Sequence, residues 1–112
     1  MGYFFHASVL IVAKHTTMIE KKYYKTKDYV KVKFSVATEA KKVELLGLNN
    51  EWKKSVIMSK KKDGTFSAEV NLPKDSRHEF KYLVDKKTWI QDTAADAEAI
   101  NVFGTANSVV TV

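Results

Sequence analysis

Two tryptophans, one lysine and a late polar loop are the parts of this chain best suited to a functional site. Trp52 follows the turn-rich segment Gly-Leu-Asn-Asn-Glu, and Trp89 follows Lys-Lys-Thr. A pyranose ring presents C–H groups on its faces and hydroxyls around its rim, so flat aromatic side chains and polar groups recognise it together. These residues therefore favour binding of a sugar over catalysis of a reaction.

A sugar site also needs polar groups to meet the hydroxyl rim. The chain offers five near the tryptophans or in the late loop: Lys81, Thr105, Asn107, Asn49 and Asn50. Tryptophan is often a core residue, because burial of its large apolar area is favourable. Both indoles are flanked by polar residues at turn edges, and the sequence leaves burial and exposure open for each.

Catalysis is hard to assemble from the remaining residues. Of the three histidines, His6 and His15 fall in an atypical N-terminal stretch, and His78 falls on the inward face of an expected strand, where a structural role is favoured. No pair of acids stands where one could act as acid and the other as base, and no phosphate-binding glycine loop occurs. We therefore expect no enzyme activity and no cofactor.

The chain also offers few candidate metal ligands. The chain has no cysteine and no paired histidines, which leaves carboxylates as the available ligands. Asp92 and Asp96 are spaced to meet a calcium ion, but the pattern favours solvated loop acids instead. No metal is expected.

Composition bounds the domain and its partners. The 112 residues, 45% of them hydrophobic, suffice for one core, and the absence of cysteine suits a reducing, cytoplasmic location. Residues 18–62 hold thirteen lysines against five acids, whereas residues 63–112 hold five basic against eight acidic residues. The basic half can attract an acidic protein. The single arginine, Arg77, argues against sequence-specific nucleic-acid reading, which favours the arginine fork.

Residues 1–17 differ from the rest of the chain. Their apolar patch is too short to cross a membrane, and it lacks the basic leader and cleavage site of a signal peptide. We interpret residues 1–17 as an N-terminal extension and residues 18–112 as the domain. The alternative is that the first residues add an edge strand.

The alternation of apolar and polar residues predicts strands. Residues 30–36, 42–48, 66–72, 77–84 and 108–112 show it, residues 55–59 suggest a short local pairing, and Asp63-Gly64 predicts a hairpin turn. Pro73 is expected to end a strand, and residues 93–100 offer the one stretch that suits a helical turn. Six or seven short strands predict an all-β, two-sheet antiparallel sandwich.

The order of these features resembles carbohydrate-binding module family 48, the early-set, immunoglobulin-like sandwich found beside isoamylases and in the β subunit of AMP-activated protein kinase. The motifs are Gly-x-x-Asn-x-Trp, the Lys-Asp-Gly turn, Phe-Lys-Tyr-x-Val-Asp, a following Trp, and Asn-x-Phe-Gly-Thr-x-Asn-Ser-Val-Val. The resemblance covers about residues 27–112. Compared with the family pattern, one residue is added between Asp85 and Trp89. Asn49, Lys86 and Thr93 stand where the family commonly has an aromatic residue, a glycine and a proline.

The resemblance implies non-catalytic binding of α-1,4-glucans such as glycogen. It implies stacking by Trp52 and Trp89, hydroxyl contacts from Lys81, Thr105 and Asn107, and Phe103 in the place of a family leucine. A glycan-metabolising enzyme is an implied partner. The alternative is a protein-interaction or structural module of the same fold that has lost glucan binding.

Overall fold

The computed structural model describes residues 15–112, which form ten strands and one short 3-10 turn. The strands are β1 (Thr16–Tyr23), β2 (Tyr29–Ala37), β3 (Val43–Leu46), β4 (Val56–Ile57), β5 (Ser59–Lys60), β6 (Thr65–Pro73), β7 (Arg77–Val84), β8 (Thr88–Ile90), β9 (Ala97–Ile100) and β10 (Ala106–Thr111). The 3-10 turn is Leu48–Asn50.

Two antiparallel sheets pack face to face. The first has the order β1-β2-β6-β5, and the second has the order β4-β3-β7-β10-β9, with β8 paired to β7. The first order reproduces the ABED sheet of an immunoglobulin-type sandwich, and β3, β7 and β10 take the places of its C, F and G strands. The predicted all-β sandwich is confirmed.

The core lies between the sheets and follows the predicted alternation. Val30, Val32, Phe34 and Val36 of β2 are all fully buried, and their polar neighbours face out. Strand β7 alternates in the same way, with His78, Phe80, Tyr82 and Val84 inward. The rings of Phe34 and Phe80 meet edge to face at 5.1 Å between centroids, which joins the two sheets.

The predicted hairpin joins β5 to β6. The Gly64 amide donates to the Lys61 carbonyl at 3.0 Å, and Gly64 has φ of 89°. Asp63 has no positive φ and instead accepts a hydrogen bond from the Thr65 amide at 2.9 Å. In this turn Asp63 is therefore the second central residue, and Gly64 follows it with a left-handed backbone. The Asp-Gly pair does not form the two central positions of the turn. Pro73 ends β6 as predicted.

Three details differ from the sequence-based expectations. Residues 93–100 contain no helical turn: Ala97–Ile100 form β9, because pairing with β10 outweighs the helix preference of alanine. Residues 55–59 divide between the sheets, with β4 on β3 and β5 on β6. All four residues of β3 are buried, including Glu44 on its outward side.

Strand β1 begins at Thr16, two residues before the predicted domain start at Met18, and lies at the edge of its sheet. The Thr17 hydroxyl accepts a hydrogen bond from the Thr93 amide at 3.0 Å. The remaining residues of the predicted extension, 1–14, lie outside the described residues, as does His6.

Candidate functional site

A groove with a volume of about 880 Å³ crosses the outer face of the six-stranded sheet. This volume lies within the range of small-molecule sites. Its lining consists of Trp52, Glu79, Lys81, Trp89, Gln91, Ile100, Asn101, Val102, Phe103, Thr105 and Asn107. All six residues implied by the family resemblance line this one groove.

Trp52 is placed by the turn that follows β3. Gly47 adopts φ of 107°, and a Cβ atom there would lie 2.6 Å from the Trp52 ring. The missing side chain therefore leaves the space in which the indole lies. Trp52 is 36% exposed, so it presents part of its surface to solvent.

A buried histidine supports the same turn. The Asn49 amide donates to Nδ1 of His78 at 3.1 Å, and Nε2 of His78 lies 2.7 Å from the Ser76 hydroxyl. Since Nδ1 is the acceptor, Nε2 bears the proton. Burial lowers the pKa of His78 below its ordinary value, in agreement with a neutral ring. The predicted inward, structural position of His78 is confirmed.

Trp89 is placed by the hairpin between β7 and β8. Asp85 and Lys86 both adopt positive φ, and the Lys87 amide donates to the Val84 carbonyl at 3.0 Å. Trp89 then pairs with Leu83, and paired residues share one face of a sheet. That face is the outer one, and Trp89 is 49% exposed on it.

One carboxylate anchors this hairpin to the neighbouring loop. Oδ1 of Asp85 accepts hydrogen bonds from the amides of Lys41 and Lys42 at 2.8 and 2.9 Å. These two bonds lower the pKa of Asp85. The segment between Asp85 and Trp89 thus forms a tight turn, and Trp89 pairs in register with β7.

Lys81 faces out of the core, as predicted from the alternation of β7, and it is half-buried in the groove. Its ammonium donates to the Thr105 hydroxyl at 3.2 Å. This bond joins the middle of β7 to the loop between β9 and β10.

Three exposed apolar side chains, at the end of β9 and in that loop, line the groove together with the tryptophans. Ile100, Val102 and Phe103 are 74%, 93% and 86% exposed. Large apolar side chains with so little cover are unusual when they lie together, and such patches mark binding surfaces. Phe103, expected in the place of a leucine, lies near the apex of this loop.

Asn107 differs from the other polar residues because it is only 5% exposed. Its amide nitrogen donates to Glu79 at 2.9 Å, and its oxygen accepts from Asn101 at 3.1 Å. Glu79 also contacts Arg77 at 3.4 Å. Asn107 therefore lies in the groove floor, within a chain of hydrogen bonds.

The sequence-based reasoning did not select Glu79, Gln91 or Asn101. Period-two alternation places Glu79 on the same face as Lys81, and this signal was available. Asn101 stands three residues before a glycine, which is a turn signal. Asn49 and Asn50, selected as polar partners, lie in the 3-10 turn and outside the groove lining.

The two acids considered for calcium have other roles. The expectation of a solvated loop acid is wrong for Asp92, which is 4% exposed and accepts the Tyr82 hydroxyl at 2.6 Å. Burial and this carboxylate raise the pKa of Tyr82 far above its ordinary value. Asp96 is partly exposed and pairs with Lys21 at 2.8 Å. Within residues 15–112, no group of three or more metal-ligating side chains occurs.

None of the helices in the described part of the chain is long and apolar enough to span a membrane. Among curated proteins, none shows a significant match to the chain. A family model described as the glycogen recognition site of AMP-activated protein kinase matches residues 30–112. The match includes every residue of the groove, and the chain belongs to this glycogen-recognition family, as the resemblance predicted.

Proposed function

We propose that this domain binds α-1,4-linked glucans, such as glycogen and starch-like oligosaccharides, in the groove and without catalysis. One observation above all supports the proposal. Two partly exposed indoles, a strand lysine and a polar loop share a single groove in a member of a glycogen-recognition family.

The roles of the side chains follow from the chemistry of a pyranose. Trp52 and Trp89 offer flat apolar surfaces to the sugar faces, and Phe103 adds a third aromatic ring at the rim. Lys81 and Thr105 supply donors to the hydroxyls, and Asn107 holds the floor beneath them. The aromatic groups exclude water from the sugar faces, while the polar groups fix its orientation.

Binding without hydrolysis is proposed because the described residues of the groove lining include no catalytic pair of carboxyl groups. Of the described residues that line it, only Glu79 has a carboxylate, and that group is engaged by Asn107 and Arg77. Hydrolysis of a glycosidic bond generally uses two carboxyl groups on opposite sides of the bond.

Substitution of Trp89 and Lys81 tests the proposal. Trp89→Ala and Lys81→Ala should each raise the Kd for maltoheptaose about 5- to 10-fold, equivalent to about 1 to 1.4 kcal/mol. Tyr23→Ala and Lys31→Ala are matched controls, because they lie on the other sheet, and they should bind as the parent does. Titration calorimetry and retention on glycogen gels measure the effect, with thermal melts to establish folding.

The choice of ligands separates the proposal from its alternatives. We expect binding to maltoheptaose and β-cyclodextrin and weaker or no binding to cellohexaose. Absence of binding to every α-glucan would overturn the proposal. Equal binding by the parent, Trp89→Ala and Lys81→Ala would move the site out of this groove.

A further inference from the structure

One side chain outside the family-implied set organises the loop between β9 and β10. Oδ1 of Asn101 accepts the amides of Phe103 and Thr105 at 2.9 and 3.2 Å. The backbone of Asn101 also donates to the Thr105 carbonyl at 2.8 Å and accepts the Gly104 amide at 3.0 Å. Residues 101–105 are thereby closed into a tight turn.

The orientation of the Asn101 amide follows from these contacts. Backbone amides only donate, so the atom that faces Phe103 and Thr105 must be the oxygen. Nδ2 then faces the Thr105 hydroxyl at 2.8 Å and Oδ1 of Asn107 at 3.1 Å. Both amide protons of Asn101 are therefore used.

The Thr105 hydroxyl lies between two donors. It accepts from Nδ2 of Asn101 at 2.8 Å and from Nζ of Lys81 at 3.2 Å. Neither an amide nitrogen nor an ammonium can accept a hydrogen bond, and a hydroxyl has two lone pairs and one proton. Among the described hydrogen bonds, both lone pairs of Thr105 are engaged and its proton has no acceptor. Thr105 is exposed in the groove.

We infer that Asn101 is a positioning residue that sets Thr105 as a hydrogen-bond donor to an acceptor oxygen of the bound glucan. The inference rests on the proposed function and deepens it, because it assigns a direction to one bond of the site. The ligand group at Thr105 is an acceptor, whereas Lys81 keeps its remaining protons for other oxygens of the glucan.

Asn101→Asp tests this role with little change of shape. The substitution keeps an oxygen for the Phe103 and Thr105 amides but replaces the donor with a second acceptor. The Thr105 proton then turns toward the new carboxylate and is lost to the ligand. We expect the Kd for maltoheptaose to rise about 5- to 10-fold, the loss typical of one hydrogen bond of about 1 kcal/mol or slightly more. Asn71→Asp, exposed on β6, controls for the added charge and should bind as the parent does.

A double-mutant cycle with Thr105→Val shows whether Asn101 acts through Thr105. Thr105→Val removes the hydroxyl at nearly constant shape, and Thr105→Ser should retain parent affinity. If the inference is right, the double variant binds no more weakly than Thr105→Val alone, because the hydroxyl is already absent. Fold-changes that multiply in the double variant would overturn the inference, since a merely structural role of Asn101 predicts that result.

Asn101→Ala adds no charge and serves as a second variant, with an expected loss at least as large as that of Asn101→Asp. If the parent binds maltoheptaose and both Asn101 variants bind it with the affinity of the parent, the inference is wrong and the proposed function stands. If the parent binds no α-glucan, the proposed function is wrong and the inference falls with it.

Discussion

Among single residues, Gly47 shapes the groove because it has no side chain and so leaves room for the Trp52 ring. Gly47 and Gly64 both adopt positive φ, but their surroundings differ. A Cβ atom on Gly47 would meet the Trp52 ring and the Glu79 carbonyl, whereas one on Gly64 would meet nothing within 4 Å. Substituting each of these two glycines therefore distinguishes the cost of backbone strain from the effect of displacing the Trp52 indole.

Gly47→Ala should destabilise the domain and weaken glucan binding together. Left-handed backbone costs a residue with a Cβ about 1 to 2 kcal/mol, and the contact with Trp52 adds to that cost. Gly64→Ala, the matched control, should lose only the backbone contribution and bind as the parent does. Urea denaturation and maltoheptaose titration measure both effects. A Gly47→Ala variant with parent affinity would show that the position of Trp52 does not depend on this turn.

Among the elements, β7 connects the core to the groove because one of its faces packs in the core and the other lines the groove. His78 and Tyr82 point inward and bond to the Asn49 turn and to Asp92, while Glu79 and Lys81 point outward into the groove. Two strands pair with the same edge of β7: β10 pairs with residues 77–80, and β8 pairs with residues 82–84. That division brings Trp89 and Thr105, from different elements, to one surface.

Stability should fall as the pH drops below about 6.5, partly because of His78. Burial lowers its pKa in the folded state, so below the ordinary value of about 6.5 the unfolded chain takes up a proton that the native ring does not. The contribution is complete above the unfolded pKa and is lost as the pH falls toward the folded one, with a slope of at most about 1.4 kcal/mol per pH unit.

His78→Asn should flatten this part of the pH profile, because the amide oxygen can still accept the Asn49 amide but does not titrate. Urea denaturation of parent and variant at several pH values between 7 and 5 measures the difference in slope. Identical slopes in the two proteins would mean that His78 does not titrate differently on folding.

At the scale of the whole molecule, the positive charge and the groove are separate. The outer face of the four-stranded sheet includes Lys31 and Lys33, and Lys33 lies near enough to lower the pKa of Lys61. The described residues of the groove lining contain one lysine and one glutamate, which balance each other. If a neutral glucan binds in this groove as proposed, the net charge of +6 should contribute little to its affinity.

Glucan retention should hardly change between low and moderate ionic strength. Salt screens attraction between separated charges, and stacking on a neutral sugar involves no such attraction. Glycogen-gel retention at 20 and at about 200 mM salt, a range over which the Debye length shortens severalfold, provides the measurement. Steep release by salt would instead favour the alternative, in which the basic half docks an acidic protein.

Much of the sandwich could be predicted from local patterns, since the alternation of apolar and polar residues in the long strands β2 and β7 identifies their inward faces. β2 and β7 bury the residues expected of them, and Gly64 and Pro73 end elements where backbone chemistry requires it. The stretch that became β9 could not be recognised, because its alanines show no strand preference and only the β10 partner makes it a strand. The burial of Asp92 could not be predicted for a similar reason, since its partners Tyr82 and Ser108 belong to other strands, β7 and β10.

Local sequence patterns were sufficient to predict the fold class, the inward and outward residues of the long strands, and the residue types available for sugar binding. These properties are local: they depend on period-two alternation, on turn chemistry and on the side chains themselves. That Trp52, Trp89, Lys81 and Thr105 line one groove, and that the Lys81 ammonium reaches the Thr105 hydroxyl, depends on the tertiary structure. These residues lie far apart in the chain, and sheet pairing with its register, which no local pattern encodes, brings them to one surface.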